Sequence, residues 1–144
     1  MVAAATFLAL LGRRLADDGW LTADDLLNMA GFEDLEVWQR AVALSADVYR
    51  RMANCKDLGF RDQITRSALS IPSNIAEGME RSSVPDRSKF LDYARGSCGE
   101  FRTQATVGAK AGLLEPALAE EWISASRTLS AMIQGLIRSL KSAN

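Results

Sequence analysis

The segment Leu118–Lys141, with the sequence LAEEWISASRTLSAMIQGLIRSLK, decides the fold class of this chain. Its apolar residues recur at intervals of three and four. They are Leu118, Trp122, Ala125, Leu129, Met132, Leu136 and Leu140, and Ile133 and Ile137 widen the stripe. This spacing matches the turn of an α-helix and gives the helix one apolar face. A long helix of this kind buries its apolar face against other helices, so the segment predicts a helical bundle.

Three earlier segments repeat this spacing. The first carries one stripe of Leu35, Trp38, Val42, Tyr49 and Met52 and a neighbouring stripe of Val37, Ala41, Leu44 and Val48. The second carries Phe60, Ile64, Ala68, Ile71, Ile75 and Met79, and the third carries Phe90, Ala94, Ser97, Phe101, Ala105, Gly108 and Gly112. Strand patterns are nearly absent. We therefore predict an all-α protein: an antiparallel up-down-up-down four-helix bundle over residues 32–144, after an N-terminal extension of short helical segments over residues 1–31.

The third segment is unusual in its small residues. We expect its helix to begin near Ser83, where the serine can cap and Asp86 complements the helix dipole. Gly96 and Gly99 each cost a helix about 1 kcal/mol relative to alanine. We expect the close approach of a neighbouring helix to compensate for that cost.

The composition excludes most enzyme designs. The chain has 144 residues, enough for one domain, and contains no histidine, which removes the usual general base and the commonest transition-metal ligand. Cys55 and Cys98 are too far apart in sequence for a CxxC motif or a zinc cluster. We therefore predict a protein that is not an enzyme, has no cofactor and lies in a reducing, cytoplasmic setting.

The extension over residues 1–31 differs in charge from the rest of the chain. It holds two arginines and four aspartates, which leaves 15 basic and 14 acidic residues for the bundle. Its apolar run VAAATFLALL precedes Arg13 and Arg14, the reverse of the charge order in a secretory signal. We expect an appended short helix or an upstream start codon, and no membrane span.

The stretch SIPSNIAEG, Ser70–Gly78, places a proline inside the second predicted helix. Pro72 lacks the N–H that would bond the carbonyl of Ala68, and its ring crowds that carbonyl, so we expect a kink. Ser70, Ser73 and Asn74 can offer polar partners to the loosened backbone. Gly78 is a stop signal for the helix.

Several of these stretches together resemble a known family. FEDLEVWQRAVALSADVY, SIPSNIAEG and FLDYARGSCGEF occur in the order and spacing of the four-helix-bundle proteins called 23S rRNA intervening-sequence proteins, and MIQGLIRSLK resembles their final helix. The resemblance implies a ring-like homo-oligomer, a pentamer, without catalytic activity. The same fold resembles the accessory variability protein of diversity-generating retroelements, which partners a reverse transcriptase and contacts nucleic acid through a basic surface. The extension lies outside the family pattern, and the bundle is near neutral rather than strongly basic.

The motif residues are expected to be structural or interfacial. They are Ser70, Pro72, Asn74, Glu77, Gly78, Arg95, Gly96, Ser97 and Glu100. Arg95 and Glu100 can meet Asn74 and Glu77 in a polar network between helices or between subunits that fixes their register. The alternative for Glu77 and Glu100 is a site for a hard cation, which needs several oxygen ligands.

The sequence is compatible with two main hypotheses about function. In the first, the protein is a non-enzymatic, homo-oligomeric binding or scaffold module that engages RNA, DNA or a reverse-transcriptase-like protein. The candidate contacts are Arg50, Arg51, Lys56, Arg61, Arg66, Arg81, Arg87, Lys89, Arg102 and Lys110, which a ring would repeat around its surface. In the second, it is a protein-directed adaptor with no role in nucleic-acid binding. A small enzyme is a third class, and it would need a pocket with perturbed carboxylates.

Overall fold

The structure, a computed structural model, describes residues 31–142. The predicted N-terminal extension, apart from Gly31, lies outside the described residues. Within them the chain forms a short 3-10 helix, Phe32–Asp34, and four α-helices. The helices are α1 (Glu36–Met52), α2 (Leu58–Met79), α3 (Val84–Lys110) and α4 (Pro116–Ser142). No strand occurs in residues 31–142, so the predicted all-α four-helix bundle is confirmed.

Local chemistry sets the helix ends. The Asp57 carboxylate accepts the backbone N–H of Phe60 at 2.9 Å at the start of α2. The Ser83 hydroxyl accepts the N–H of Asp86 at 3.2 Å, so α3 begins where the sequence predicts. Past the end of α3, Gly112 has a φ of 76°, a left-handed conformation that glycine adopts without strain. The stop signal at Gly78 is also confirmed, because α2 ends at Met79.

Neighbouring helices run antiparallel where side-chain contacts give their direction. Ser67, early in α2, donates to Gln104 late in α3. Gly78, at the end of α2, lies against Phe90 near the start of α3. Helices α3 and α4 are related in the same way, because Arg102 contacts Ser126 while the start of α3 lies beside the end of α4. α1 packs mainly against α2 and makes fewer contacts with α4.

The core is formed by one face of each helix. In α2 the predicted stripe is confirmed at its centre, where Ile64, Ala68, Ile71 and Ile75 are fully buried. The core residues of α4 are Ala119, Trp122, Ser126, Leu129, Ile133, Ile137 and Leu140, so the buried face is rotated from the predicted stripe towards Ile133 and Ile137.

The first of the two stripes predicted for α1 is mostly outside the core. The neighbouring stripe is the buried one, whereas Val42 is 36% and Tyr49 47% exposed. Two adjacent apolar stripes cover more of a helix than its two neighbours can bury. One of them must therefore face outward, and periodicity alone does not say which.

The glycines of α3 correct a second prediction. A Cβ atom added at Gly96 would meet nothing within 4 Å, and one at Gly99 would meet only the Arg102 guanidinium at 3.9 Å. The prediction that a neighbouring helix of the same chain lies close to these two glycines is therefore wrong. The close approach occurs at Gly78, where an added Cβ would lie 3.1 Å from the Arg87 carbonyl oxygen. It also occurs at Gly108, against the ring of Phe60.

No helix in the described part of the chain is long and apolar enough to cross a membrane.

Candidate functional site

The SIPSNIAEG stretch lies inside a continuous helix, since α2 runs through the buried Pro72. The hydroxyl of Ser70 donates to the carbonyl of Ser67 and that of Ser73 to the carbonyl of Leu69, each at 2.9 Å. The Asn74 amide donates to the carbonyl of Ser70, also at 2.9 Å. These side chains therefore bond to backbone carbonyls within the same helix, on either side of the proline.

The charged motif residues also find partners three or four residues away along the chain. Glu77 pairs with Arg81 one turn later. Arg95 reaches Asp92 at 3.0 Å, and Glu100 accepts from Gln104 at 3.2 Å. The predicted network joining these residues between helices of one chain is therefore wrong. A partner three or four residues away on the same helix is already within reach, which explains the outcome.

The remaining motif residues are placed as follows. Gly78 and Ser97 are buried, Gly96 and Glu100 are exposed, and the Ser97 hydroxyl donates to the Tyr93 carbonyl at 3.1 Å. A role between subunits stays a prediction for the exposed members. Within residues 31–142 no cluster of three or more Cys, Asp or Glu side chains could hold a metal ion.

Besides the Ser67–Gln104 bond described above, two polar contacts between helices were not predicted from the sequence. The indole N–H of the buried Trp122 donates to the Asp47 carboxylate at 2.9 Å, which joins α4 to α1. This bond, and the nearby Arg51 guanidinium, lower the pKa of Asp47 against the opposing effect of partial burial.

The second contact joins α3 to α4. The fully buried hydroxyl of Ser126 donates to the Cys98 carbonyl at 3.1 Å, and Arg102 Nη1 lies 3.3 Å from the same hydroxyl. Burial raises the pKa of the Cys98 thiol. The sequence holds one indication of this contact, because Ser126 is a polar residue at a core position of α4.

Many of the cations predicted to contact nucleic acid have partners within the chain. Arg50 and Arg51 share Asp47, each at 3.5 Å, and Arg61 lies 3.7 Å from Asp62. The buried Arg87 donates its Nε to the Arg81 carbonyl at 2.7 Å. Arg81 pairs with Glu77 and lies 4.5 Å over the Phe90 ring, and Lys89 lies 6.0 Å from the centre of the Tyr93 ring. Lys56, Arg66 and Lys110 are exposed and form no ion pair with another described residue.

Arg102, one of these candidates, lies on a concave surface between α3 and α4. Together with Arg95 and Arg127 it lines a groove of about 340 Å³ between α3 and α4, completed by Ser130, Ala131 and Gln134. We call the surface formed by Arg95, Arg102 and Arg127 the arginine groove. Among residues 31–142, no acidic side chain lines it.

The three guanidinium groups differ in their partners. Arg102 is held by the neutral Ser126, and Arg127 forms no ion pair within the described range. One terminal nitrogen of Arg95, Nη1, pairs with the Asp92 carboxylate. The Arg95 Nε is buried and has no hydrogen-bond partner among the described residues. The groove therefore combines positive charge with an unused buried donor. Arg127 was not among the contacts predicted from the sequence. One feature of the sequence pointed to it, because no Asp or Glu follows Glu121.

Comparisons with known proteins agree on the fold. The model of the 23S rRNA-intervening sequence protein family matches residues 33–135. A crystal structure of a protein with unknown function from the S23 ribosomal protein family of Bacteroides thetaiotaomicron is similar, with a TM-score of 0.67 and 18% sequence identity. The similarity covers 70% of this chain and 97% of that one. No curated protein matches the sequence.

Proposed function

The chain belongs to the 23S rRNA-intervening sequence protein family, and we propose that it is a non-enzymatic, homo-oligomeric scaffold that binds nucleic acid through the phosphate backbone. The observation that carries the proposal is the arginine groove. It gathers three guanidinium groups on one concave surface, and of the three only Arg95 pairs with a described acidic residue, Asp92.

The chemistry of the groove suits the phosphate groups of a nucleic-acid backbone. A guanidinium group presents a planar set of donors that matches two phosphate oxygens. Arg95 and Arg102 are seven residues apart on α3, about 10 Å along the helix, and Arg127 faces them from α4. A repeating backbone of anions can occupy such a row, whereas a single small anion fills one position.

The near-neutral charge of the bundle does not oppose this proposal. Most ion pairs in the described residues join groups three or four positions apart on one helix, and such pairs cancel locally. The α4 helix is different, because its sequence after Glu121 contains basic residues and no acidic ones. Of these basic residues, Arg127 lines the groove.

Self-association would repeat the groove around a ring. Large apolar side chains remain exposed on the single chain, and they are Val42, Tyr49, Leu58, Leu69, Tyr93 and Val107. The open space at Gly96 leaves room for a second copy to approach α3. These features support a homo-oligomer, and the family resemblance suggests a pentamer. The proposed location is the cytoplasm.

The binding test uses fluorescence anisotropy with labelled RNA and DNA at 50 and 200 mM salt. Three phosphate contacts on a single strand predict an affinity loss of about 20-fold over that range. Arg102→Gln with Arg127→Gln should weaken binding and flatten the salt dependence, whereas Arg40→Gln, which removes an exposed pair with Glu36 on α1, should change neither. No binding at 50 mM salt, or equal effects of the two variants, refutes the proposal.

The assembly test is light scattering coupled to size-exclusion chromatography. A mass of several subunits supports the scaffold, and a monomeric mass at micromolar concentration refutes it. The second candidate function is a protein-directed adaptor, which is favoured by the exposed Val42 and Tyr49 on α1. That function predicts a protein that binds a partner protein without binding nucleic acid.

A further inference from the structure

A second groove lies between the start of α3 and the end of α4. Its volume is about 570 Å³, and its lining residues are Val84, Pro85, Ser88, Lys89, Asp92, Tyr93 and Lys141. We call it the tyrosine groove, because the Tyr93 ring is 49% exposed there. The groove combines an apolar surface with two lysines.

The tyrosine groove and the arginine groove follow the same pair of helices. Ser88 and Lys141 line one groove, and Arg102 and Arg127 line the other. The two α3 residues are as far apart in sequence as the two α4 residues, about four helical turns or 21 Å. Residues that many turns apart lie on nearly the same face of a helix. One extended ligand lying along α3 and α4 can therefore contact both grooves.

The Tyr93 ring is half exposed, with Phe90 against it and the Lys89 ammonium over it. Phe90 meets it edge to face, with ring centres 5.5 Å apart, and Arg81 covers Phe90 at 4.5 Å. The Lys89 ammonium lies 6.0 Å from the Tyr93 ring centre. A supported, half-exposed ring beside cations is the arrangement on which unpaired bases stack.

Two further side chains support a polar, anionic ligand. Ser88 is 6% exposed, and its hydroxyl has no hydrogen-bond partner within residues 31–142. Asp92 is the one acidic residue of the lining, and it is already paired with Arg95 at 3.0 Å. Its charge is therefore offset, and the two lysines keep the groove attractive to anions.

We infer that Tyr93 stacks on an unpaired nucleobase while Lys89 and Lys141 contact the adjoining phosphates. The inference rests on the proposed binding of nucleic acid by the arginine groove, and it names single strands as the ligand class. In a duplex each base is covered by its neighbours, so no base face is free to stack on the ring. Stacking on Tyr93 therefore adds affinity for single strands and none for duplexes.

The test compares three probes of equal length in anisotropy titrations at 50 mM salt: single-stranded oligo-dT, the same backbone with abasic sites, and a duplex. Stacking of one base predicts that the full chain binds oligo-dT about 5- to 150-fold more tightly than the abasic strand. Tyr93→Leu should lower oligo-dT affinity to the abasic level and leave abasic and duplex binding unchanged. Tyr93→Phe should keep the wild-type preference.

The outcomes separate this inference from the proposed function. If wild-type protein binds oligo-dT and the abasic strand equally, or if Tyr93→Leu weakens all three probes alike, stacking is refuted while backbone binding stands. If wild-type protein binds none of the probes, both are refuted. The wild-type comparison with the abasic strand decides the matter even if Tyr93→Leu does not fold.

Discussion

Replacing Asp47 by alanine should destabilise the protein more than the loss of a surface charge would. The Asp47 carboxylate accepts the Trp122 indole N–H at 2.9 Å, and Trp122 is 1% exposed. Water cannot easily take the place of the lost acceptor, so the variant leaves a buried donor unsatisfied. The bond also joins α1 to α4, two helices that contact each other less than the other neighbouring pairs.

The magnitude follows from the kind of bond that is removed. A hydrogen bond to a charged group contributes about 1.5–3 kcal/mol, and the exposed pairs with Arg50 and Arg51 add at most about 1 kcal/mol. We expect a loss of about 2–3 kcal/mol in the free energy of unfolding, or about 6–9 °C in Tm for a domain of this size. Asp47→Asn keeps an acceptor oxygen and should recover about half of the loss.

The measurement is urea unfolding at a fixed protein concentration, because self-association makes stability depend on concentration. The matched control is Glu36→Ala, which breaks the exposed pair with Arg40 on the same helix and should cost no more than about 0.5 kcal/mol. A double-mutant cycle with Trp122→Phe isolates the coupling between the two side chains. If Asp47→Ala and Glu36→Ala agreed within 0.5 kcal/mol, on the order of the scatter for independent sites, the reasoning would be wrong.

Three further outcomes are expected. Gly96→Ala should stabilise the single chain by up to about 1 kcal/mol, whereas Gly108→Ala should lower its Tm, because the space beside Gly108 is occupied and that beside Gly96 is open. Thiol titration should label the half-buried Cys55 rapidly and the buried Cys98 only on unfolding, since burial raises the Cys98 pKa; equal labelling rates would contradict this. The folded state lowers the Asp47 pKa, so the stabilisation by its carboxylate is complete above the unfolded value of about 3.9 and is lost as pH falls through the folded value. The difference in the free energy of unfolding between the wild-type protein and Asp47→Asn should therefore narrow in acid, as measured by urea unfolding from pH 7 to 3.

The sequence predicts the number and limits of the helices because those depend on local chemistry. The caps at Ser83 and the stop near Gly78 act within one turn, and the structure has them where the pattern indicates. The buried face of α1 depends instead on where α2 and α4 lie. Two apolar stripes compete there, and the stripe containing Val42 and Tyr49 is left partly exposed.

The candidate site is less predictable because it depends on register between helices. A list of basic residues does not separate Arg51, which has Asp47 on its own helix, from Arg127, which has no acidic partner in the described residues. The pairing of Arg102 with Ser126 depends on how far α3 slides along α4. Sequence spacing within one helix contains no information about that offset.

For the motif residues, partners on another helix were predicted where the actual partners are local. Asn74, Glu77, Arg95 and Glu100 look like members of one network because they share polarity and lie on adjacent helices. Each has an acceptor or donor three or four residues away, and a local partner costs less conformational entropy than a distant one. Of these four residues only Arg95 keeps a buried nitrogen without a partner among the described residues, and Arg95 also lines the arginine groove.

Net charge is a poor guide to binding in a protein built this way. Fourteen acidic and 15 basic residues after position 31 nearly cancel, yet Glu36 and Asp47 are offset by arginines one turn away on their own helix. A ligand in the groove between α3 and α4 would contact Arg95, Arg102 and Arg127 directly, and salt screens charges in contact less than charges separated by more than the screening length of about 8 Å at physiological salt. The acidic residues of α1 and α2 lie on other helices, where their own basic neighbours offset them. Local arrangement therefore allows a near-neutral bundle to attract a polyanion to one surface, and the salt dependence of binding should reflect those few groups rather than the net charge.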